Sequence, residues 1–122
     1  MPTSRSTEPD RSRLARGAWG ERIAAREYER LGYRVVAANW RTSSGEIDLI
    51  VERDDVLVFC EVKARRSARY GPAASAVTSE KQARIRRLAQ EWLRAHPGRR
   101  RRVRFDVYAI TGSEKQLIQG AF

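Results

Sequence analysis

Apolar and polar positions divide the chain into a short series of helices and strands. From Leu14 to Leu31 the period is helical. At 100° per residue, Leu14, Ala18, Ala24, Ala25, Tyr28 and Leu31 fall on one broad face, and Gly32 supplies the residue that ends the helix. Glu21 falls in the middle of that face, whereas Arg22, Arg26, Glu29 and Arg30 lie mostly elsewhere. Tyr33–Trp40 reads as a strand and its exit, and Thr42–Gly45 as a turn. Two runs rich in Ile, Leu and Val, Gly45–Val51 and Val58–Lys63, then flank Arg53-Asp54-Asp55-Val56 as the arms of a hairpin. Ser79 and Gln82 match a capping box opening a helix to about Ala95, with Ile85, Leu88, Ala89, Trp92 and Leu93 as its apolar stripe. Val103, Phe105, Val107 and Ala109 alternate on one face of a strand ending near Ile110. Thr111–Lys115 reads as a turn and Leu117–Phe122 as a short closing strand.

The resulting order, α-β-β-β-α-β with one more strand at the end, predicts an α/β fold with a mixed sheet flanked by helices. We expect a single domain over residues 14–122, preceded by a disordered basic tail over residues 1–13, where Ser, Thr, Pro and charge dominate.

Charge narrows the class of partner. The 122 residues carry a formal net charge of +10, which favours a polyanion, nucleic acid ahead of an anionic membrane. Arginine supplies all but three of the 25 basic residues, so a general preference for arginine contributes to this excess. Arg65 and Arg66 open a basic connection running to Ser75, and Arg99–Arg102 form a second run. The single cysteine, Cys60, excludes an internal disulfide framework and fits a reducing compartment. His96 has no second His or Cys with which to build a zinc site. No apolar run reaches the ~20 residues of a membrane span. The opening residues lack the apolar segment of a signal peptide, so the cytoplasm is the expected location.

The hairpin carries the chemistry. In the register that sets Val51 opposite Val58, Asp48 lies opposite Glu61 and Glu46 opposite Lys63, with cross-strand Cβ atoms ~5 Å apart. These four charges would share one end of a face with Ile50, Leu57 and Phe59. The other face, Ile47, Leu49, Val51, Val58, Cys60 and Val62, is wholly apolar. Charges left unpaired there would cost several kcal/mol, roughly. The three lysines are Lys63, Lys81 and Lys115. Two of them stand in suspicious places, Lys63 among the carboxylates and Lys81 in line with the apolar stripe of its helix. Lysine is a compact charge whose pKa can move, unlike arginine. Asp48, Glu61 and Glu21, with no histidine, suit a hard cation, Mg²⁺ first and Mn²⁺ second.

These residues carry a resemblance. Asp48 with Glu61-Val62-Lys63 resembles the D-x(n)-E-x-K core of the PD-(D/E)xK superfamily, the restriction-endonuclease-like fold, with Ile47 standing where the superfamily name places a proline. Trp19-Gly20-Glu21, Gly45-Glu46-Ile47-Asp48-Leu49-Ile50, Val58-Phe59-Cys60-Glu61-Val62-Lys63 and Lys81-Gln82 together resemble the YraN-like family of small bacterial proteins. The resemblance runs from about Ala18 to the C-terminus. It implies an α-β-β-β-α-β core and Glu21, Asp48 and Glu61 as metal ligands. It also implies catalytic roles for Asp48, Glu61 and Lys63, and places Lys81 and Gln82 near substrate phosphate. The layout is also similar to that of archaeal Holliday-junction resolvases, which implies a homodimer.

The expected function is that of a metal-dependent nuclease hydrolysing phosphodiester bonds in DNA, with structured or branched DNA in view. Lys81, Gln82, Arg65 and Arg66 would bind substrate, and Glu46 would support the site. The alternative is a nucleic-acid-binding module with weak or no catalysis, carried by the tail, the Arg65–Arg69 loop and Arg99–Arg102. A third reading makes Glu46, Asp48, Glu61 and Lys63 a salt-bridge network that serves stability alone.

Overall fold

A computed structural model describes residues 11–98 and 101–122. Most of the expected tail, the side chain of Leu14, and Arg99 and Arg100 lie outside the described residues. Helix α1 spans Arg11–Arg30 and is followed by strands β1 (Arg34–Thr42), β2 (Gly45–Arg53) and β3 (Val56–Arg65). A 3₁₀ turn at Ala73–Ala76 leads to helix α2 (Ser79–Ala95), and strands β4 (Arg102–Thr111) and β5 (Glu114–Ile118) complete the chain. The five strands form one sheet in sequence order. Neighbours are antiparallel except β3 and β4, which run parallel with α2 as their crossover. The mixed sheet between helices matches the expected restriction-endonuclease-like core. Among the described residues no helix is long and apolar enough to cross a membrane.

The helices take opposite faces of the sheet. Ala24 and Tyr28 of α1 pack with Leu49, Val51, Val58, Cys60, Tyr108 and Ile110. Leu88, Ala89 and Trp92 of α2 pack with Ile47, Ile50, Leu57 and Phe59. The working face of α1 runs through Gly20, Ala24 and Tyr28, one residue per turn, whereas Ala18 is exposed. Gly20 makes the close approach possible. A Cβ there would lie 3.4 Å from Val62 Cγ1 and 3.6 Å from Ala64 Cβ, so the helix backbone rests almost on β3.

Several boundaries differ from the sequence reading: α1 starts at Arg11, so residues 11–13 of the expected tail belong to the helix, and the closing strand ends at Ile118 and not at Phe122. The N-cap of α2 is Thr78, whose side chain accepts from the Lys81 amide, so the capping box at Ser79 and Gln82 does not form. Gln82 instead donates from Nε2 to the Val77 carbonyl at 3.2 Å. The last strand starts at Glu114, three residues before Leu117, because Gly112 (φ 63°) and Ser113 turn the chain in two residues.

The hairpin keeps its expected register from Arg53↔Val56 to Leu49↔Cys60. There the ladder stops, and Asp48 and Glu61 are not a ladder pair. The next amide of β3 directed at β2, that of Val62, donates to Asp48 Oδ2 at 2.8 Å instead of to the β2 backbone. Across from Asp48 on β1, Asn39 takes φ 53°, and the β1–β2 pairing skips this position between Ala38↔Leu49 and Trp40↔Ile47. The alternation of β2 breaks at the same point. Ile47 packs with Ile50 on the α2 side, not with Leu49 and Val51 as expected. A strand keeps one face only while its period is two, and one irregular residue shifts everything before it.

Candidate active site

The break at Asp48 builds the site. It brings Glu46 round toward α1, where Gly20 has already brought Glu21 against the sheet. One carboxylate oxygen from each of Glu21, Glu46 and Asp48 lies within 4.8 Å of the others. A trio of carboxylate oxygens at this spacing could hold a metal ion. Glu61 stands near enough to Asp48 for its charge to act on it. Of the expected ligands Glu21, Asp48 and Glu61, the converging set thus includes the first two, with Glu46 as the third. Glu46 also pairs with Arg41 Nε at 2.5 Å.

Electrostatics at these carboxyls follow from crowding. Burial, and next the charge of Glu61, push the Asp48 carboxyl up to about 8. Burial also raises Glu21, whose carboxylate is steadied by a hydrogen bond from Asn39 while Asp48 and Glu46 repel it. Asn39 is a site residue that the sequence reading passed over as part of a strand exit. Its one available signal was its type, since Asn tolerates the left-handed conformation far better than most residues.

The cations form a second group. Burial and then the Lys81 ammonium pull the Lys63 pKa down, partly offset by Glu61 and Asp48. Lys81 stands close enough for its charge to act on Lys63. Two neighbouring ammonium groups repel unless one is neutral or an anion lies between them. Lys81 is presented by the first turn of α2, and Lys63 by the end of β3, on the face that α2 covers. Gln82 is turned back to cap its own helix, away from this pair.

Arg65 and Arg66 belong to a neighbouring feature. A cleft of about 730 Å³ opens between the start of α1 and the end of β3, lined by Arg16, Gly17, Val62, Lys63, Ala64, Arg65, Arg66, Ser67 and Tyr70. Val62 and Lys63 belong both to the cleft wall and to the surroundings of Asp48. By contrast, Arg102 pairs with Val56, at the opposite end of β3 from Lys63. Seven residues of strand put the described part of the second arginine run roughly 23 Å from Lys63. Arg101 and Arg102 do not line the cleft.

Residues 20–110 match the sequence model of the uncharacterised protein family UPF0102. The chain belongs to the UPF0102 family. This is the YraN-like family that the sequence motifs resemble. A UPF0102 protein of Kineococcus radiotolerans is 51% identical over 106 residues, covering 86% of this chain and 87% of its own length. One from Rhodococcus jostii is 55% identical over 97 residues, 80% of this chain and 82% of its own. One from Klebsiella pneumoniae is 44% identical over 124 residues, spanning all of this chain and 96% of its own. The UPF0102 match includes Glu21, Asn39, Glu46, Asp48, Glu61, Lys63, Lys81 and Gln82, the acidic trio and the lysine pair among them.

Proposed function

We propose that this chain is a metal-dependent nuclease that hydrolyses phosphodiester bonds in DNA, including structured or branched DNA. The observation that carries this reading is the convergence of Glu21, Glu46 and Asp48 within 4.8 Å beside the Lys63–Lys81 pair. Glu21, Glu46 and Asp48 would hold Mg²⁺ or Mn²⁺, and the repulsion among them is the strain that a dication relieves. When bound, the ion would supply Lewis-acid polarisation of a phosphoryl oxygen and acidify its own water.

The chain's own groups divide the remaining work. The Val62 amide fixes the Asp48 carboxyl in place. Lys63 and Lys81 offer adjoining ammonium donors to a phosphate oxygen, and that anion would offset their mutual repulsion. With its lowered pKa, Lys63 Nζ can also hold or release a proton near neutrality more readily than an ordinary lysine.

The test is a cleavage panel of single-stranded, duplex, flap and four-way DNA with Mg²⁺ or Mn²⁺. At least one substrate should be cut. Lys63→Ala and Asp48→Ala should each reduce cutting by about 10²-fold or more, the usual loss when a positioned catalytic group is removed. No cleavage of any substrate, or cleavage that survives both changes, would refute the assignment. A DNA-binding module without catalysis is favoured by one observation, the basic cleft beside the trio. It predicts salt-dependent binding that is unaffected by Asp48→Ala.

A further inference from the structure

Tyr70 is the most exposed large aromatic among the described residues. It is 81% exposed, although it sits in a loop whose backbone is firmly held. Arg65 Nη1 donates to the carbonyls of both Tyr70 (2.8 Å) and Gly71 (3.1 Å). The Gly71 amide closes back on the Ala68 carbonyl at 2.9 Å, with Gly71 at φ 96°. The ring meets only the Arg69 guanidinium, 5.5 Å from its centroid, among the ring contacts of the described residues.

What the ring faces narrows the choice. Tyr70 lines the cleft whose charged walls are Arg16, Lys63, Arg65 and Arg66, with no carboxylate on its lining. Cations along a groove track phosphates, and a flat aromatic at its margin stacks on a base face. A paired base inside a duplex has both faces covered by its neighbours, so stacking of this kind selects an unpaired one. A purely electrostatic groove would not need the ring, and an apolar protein partner would not suit the four cations.

We propose that Tyr70 is a stacking platform for an unpaired base of DNA whose phosphates lie along the Arg16–Arg65–Arg66 cleft. The proposal deepens the nuclease reading and rests on it for the identity of the polyanion. It names the substrate class: DNA presenting a single-stranded segment next to the acidic trio, as a flap, bubble or branch does. The hydroxyl is not required for this contact, only the ring.

The test reads binding alone, with full-length protein in EDTA so that no cutting occurs. Fluorescein-labelled oligothymidylate is compared with an abasic oligonucleotide of equal length and charge. The wild-type protein should bind the base-bearing strand about fivefold or more tightly, the range expected for one stacked base. Tyr70→Ala should abolish that preference while leaving abasic affinity and its salt slope unchanged, and Tyr70→Phe should preserve it. Equal wild-type affinity for the two strands overturns the proposal, as does a preference that survives Tyr70→Ala. A protein that cuts DNA but shows no base preference loses only the role of Tyr70. One that never cuts, yet shows the preference and its loss, keeps that role and loses the nuclease assignment.

Discussion

Asp48 concentrates the chemistry of this protein in a single side chain. One oxygen accepts the Val62 amide, and burial together with the neighbouring charge of Glu61 disfavours the ionised carboxylate. Its folded-state pKa, about 8, lies above the ordinary 3.8. A group raised in this way contributes stability that is full below the lower value and is lost as pH rises through the higher one. Without metal, the wild-type protein should therefore lose stability between pH 4 and 8 on account of Asp48. Asp48→Asn imitates the protonated acid: its oxygen can still accept from Val62, and it carries no charge for Glu61 to repel. In EDTA at pH 8.5 the variant should melt about 4 °C or more above wild type, and near pH 4 the difference should vanish. If the group served only as a stabilising ion pair, the variant would melt lower at both pH values. Chain order could rank Asp48 as chemically important because it is a carboxylate in an apolar strand. Its partners were harder to read, since Glu46 and Asn39 reach the site through a local departure from strand geometry that no residue type announces.

Among the elements, the hairpin was the most legible and also the most misleading. A two-residue turn at Asp54-Asp55, with Asp54 at φ 55°, and a strict apolar alternation fix the register of β2 on β3. The same alternation, carried one step too far, assigns Ile47 and Glu46 to the wrong faces. The end of β2 is held by close packing at Gly45, where φ is 140° and a Cβ would lie 3.3 Å from both Arg84 Cδ and Leu88 Cδ1. Gly45→Ala should cost about 1–3 kcal/mol in urea unfolding, through backbone strain and contact with α2. Gly17→Ala is the control. Its Cβ would meet nothing within 4 Å on a helix, so stability should rise by about 0.5–1 kcal/mol. Equal effects at the two glycines would show that the start of β2 is looser than its packing implies.

At the scale of the whole molecule, the charge is organised into separate functions. Asp106, fully buried on β4, accepts from Tyr28 Oη (2.6 Å), Arg104 Nε and Nη2 (both 2.8 Å) and the Gly120 amide (3.0 Å). It ties α1, β4 and the C-terminal segment together, and the sequence pattern alone did not single it out, because two of its three partner residues, Tyr28 and Gly120, come from distant positions. Asp106→Ala would leave Tyr28 and the Arg104 guanidinium without their acceptor, so a loss of about 3–5 kcal/mol is expected in denaturant unfolding. A loss below about 1 kcal/mol would mean that water replaces the carboxylate. The two acids thus separate cleanly: buried Asp106 has both oxygens satisfied by donors and holds the fold, whereas half-buried Asp48 is crowded by its own kind. The fold class could be read from periodicity because element order constrains topology strongly. The division of acids into structural and chemical ones depends on which donors surround each, and only the folded chain supplies that.

The missing rung between β2 and β3 has a geometric consequence. Sheets normally act as partitions: groups above and below are kept a full backbone thickness apart. Asp48 bonds an amide that points along the sheet, so its carboxyl lies in the plane of the partition, at a gap. Glu21 reaches that gap from one side, and Lys63 with Lys81 from the other. Helices on opposite sides of a wall can then address the same small group, and the wall has become a doorway.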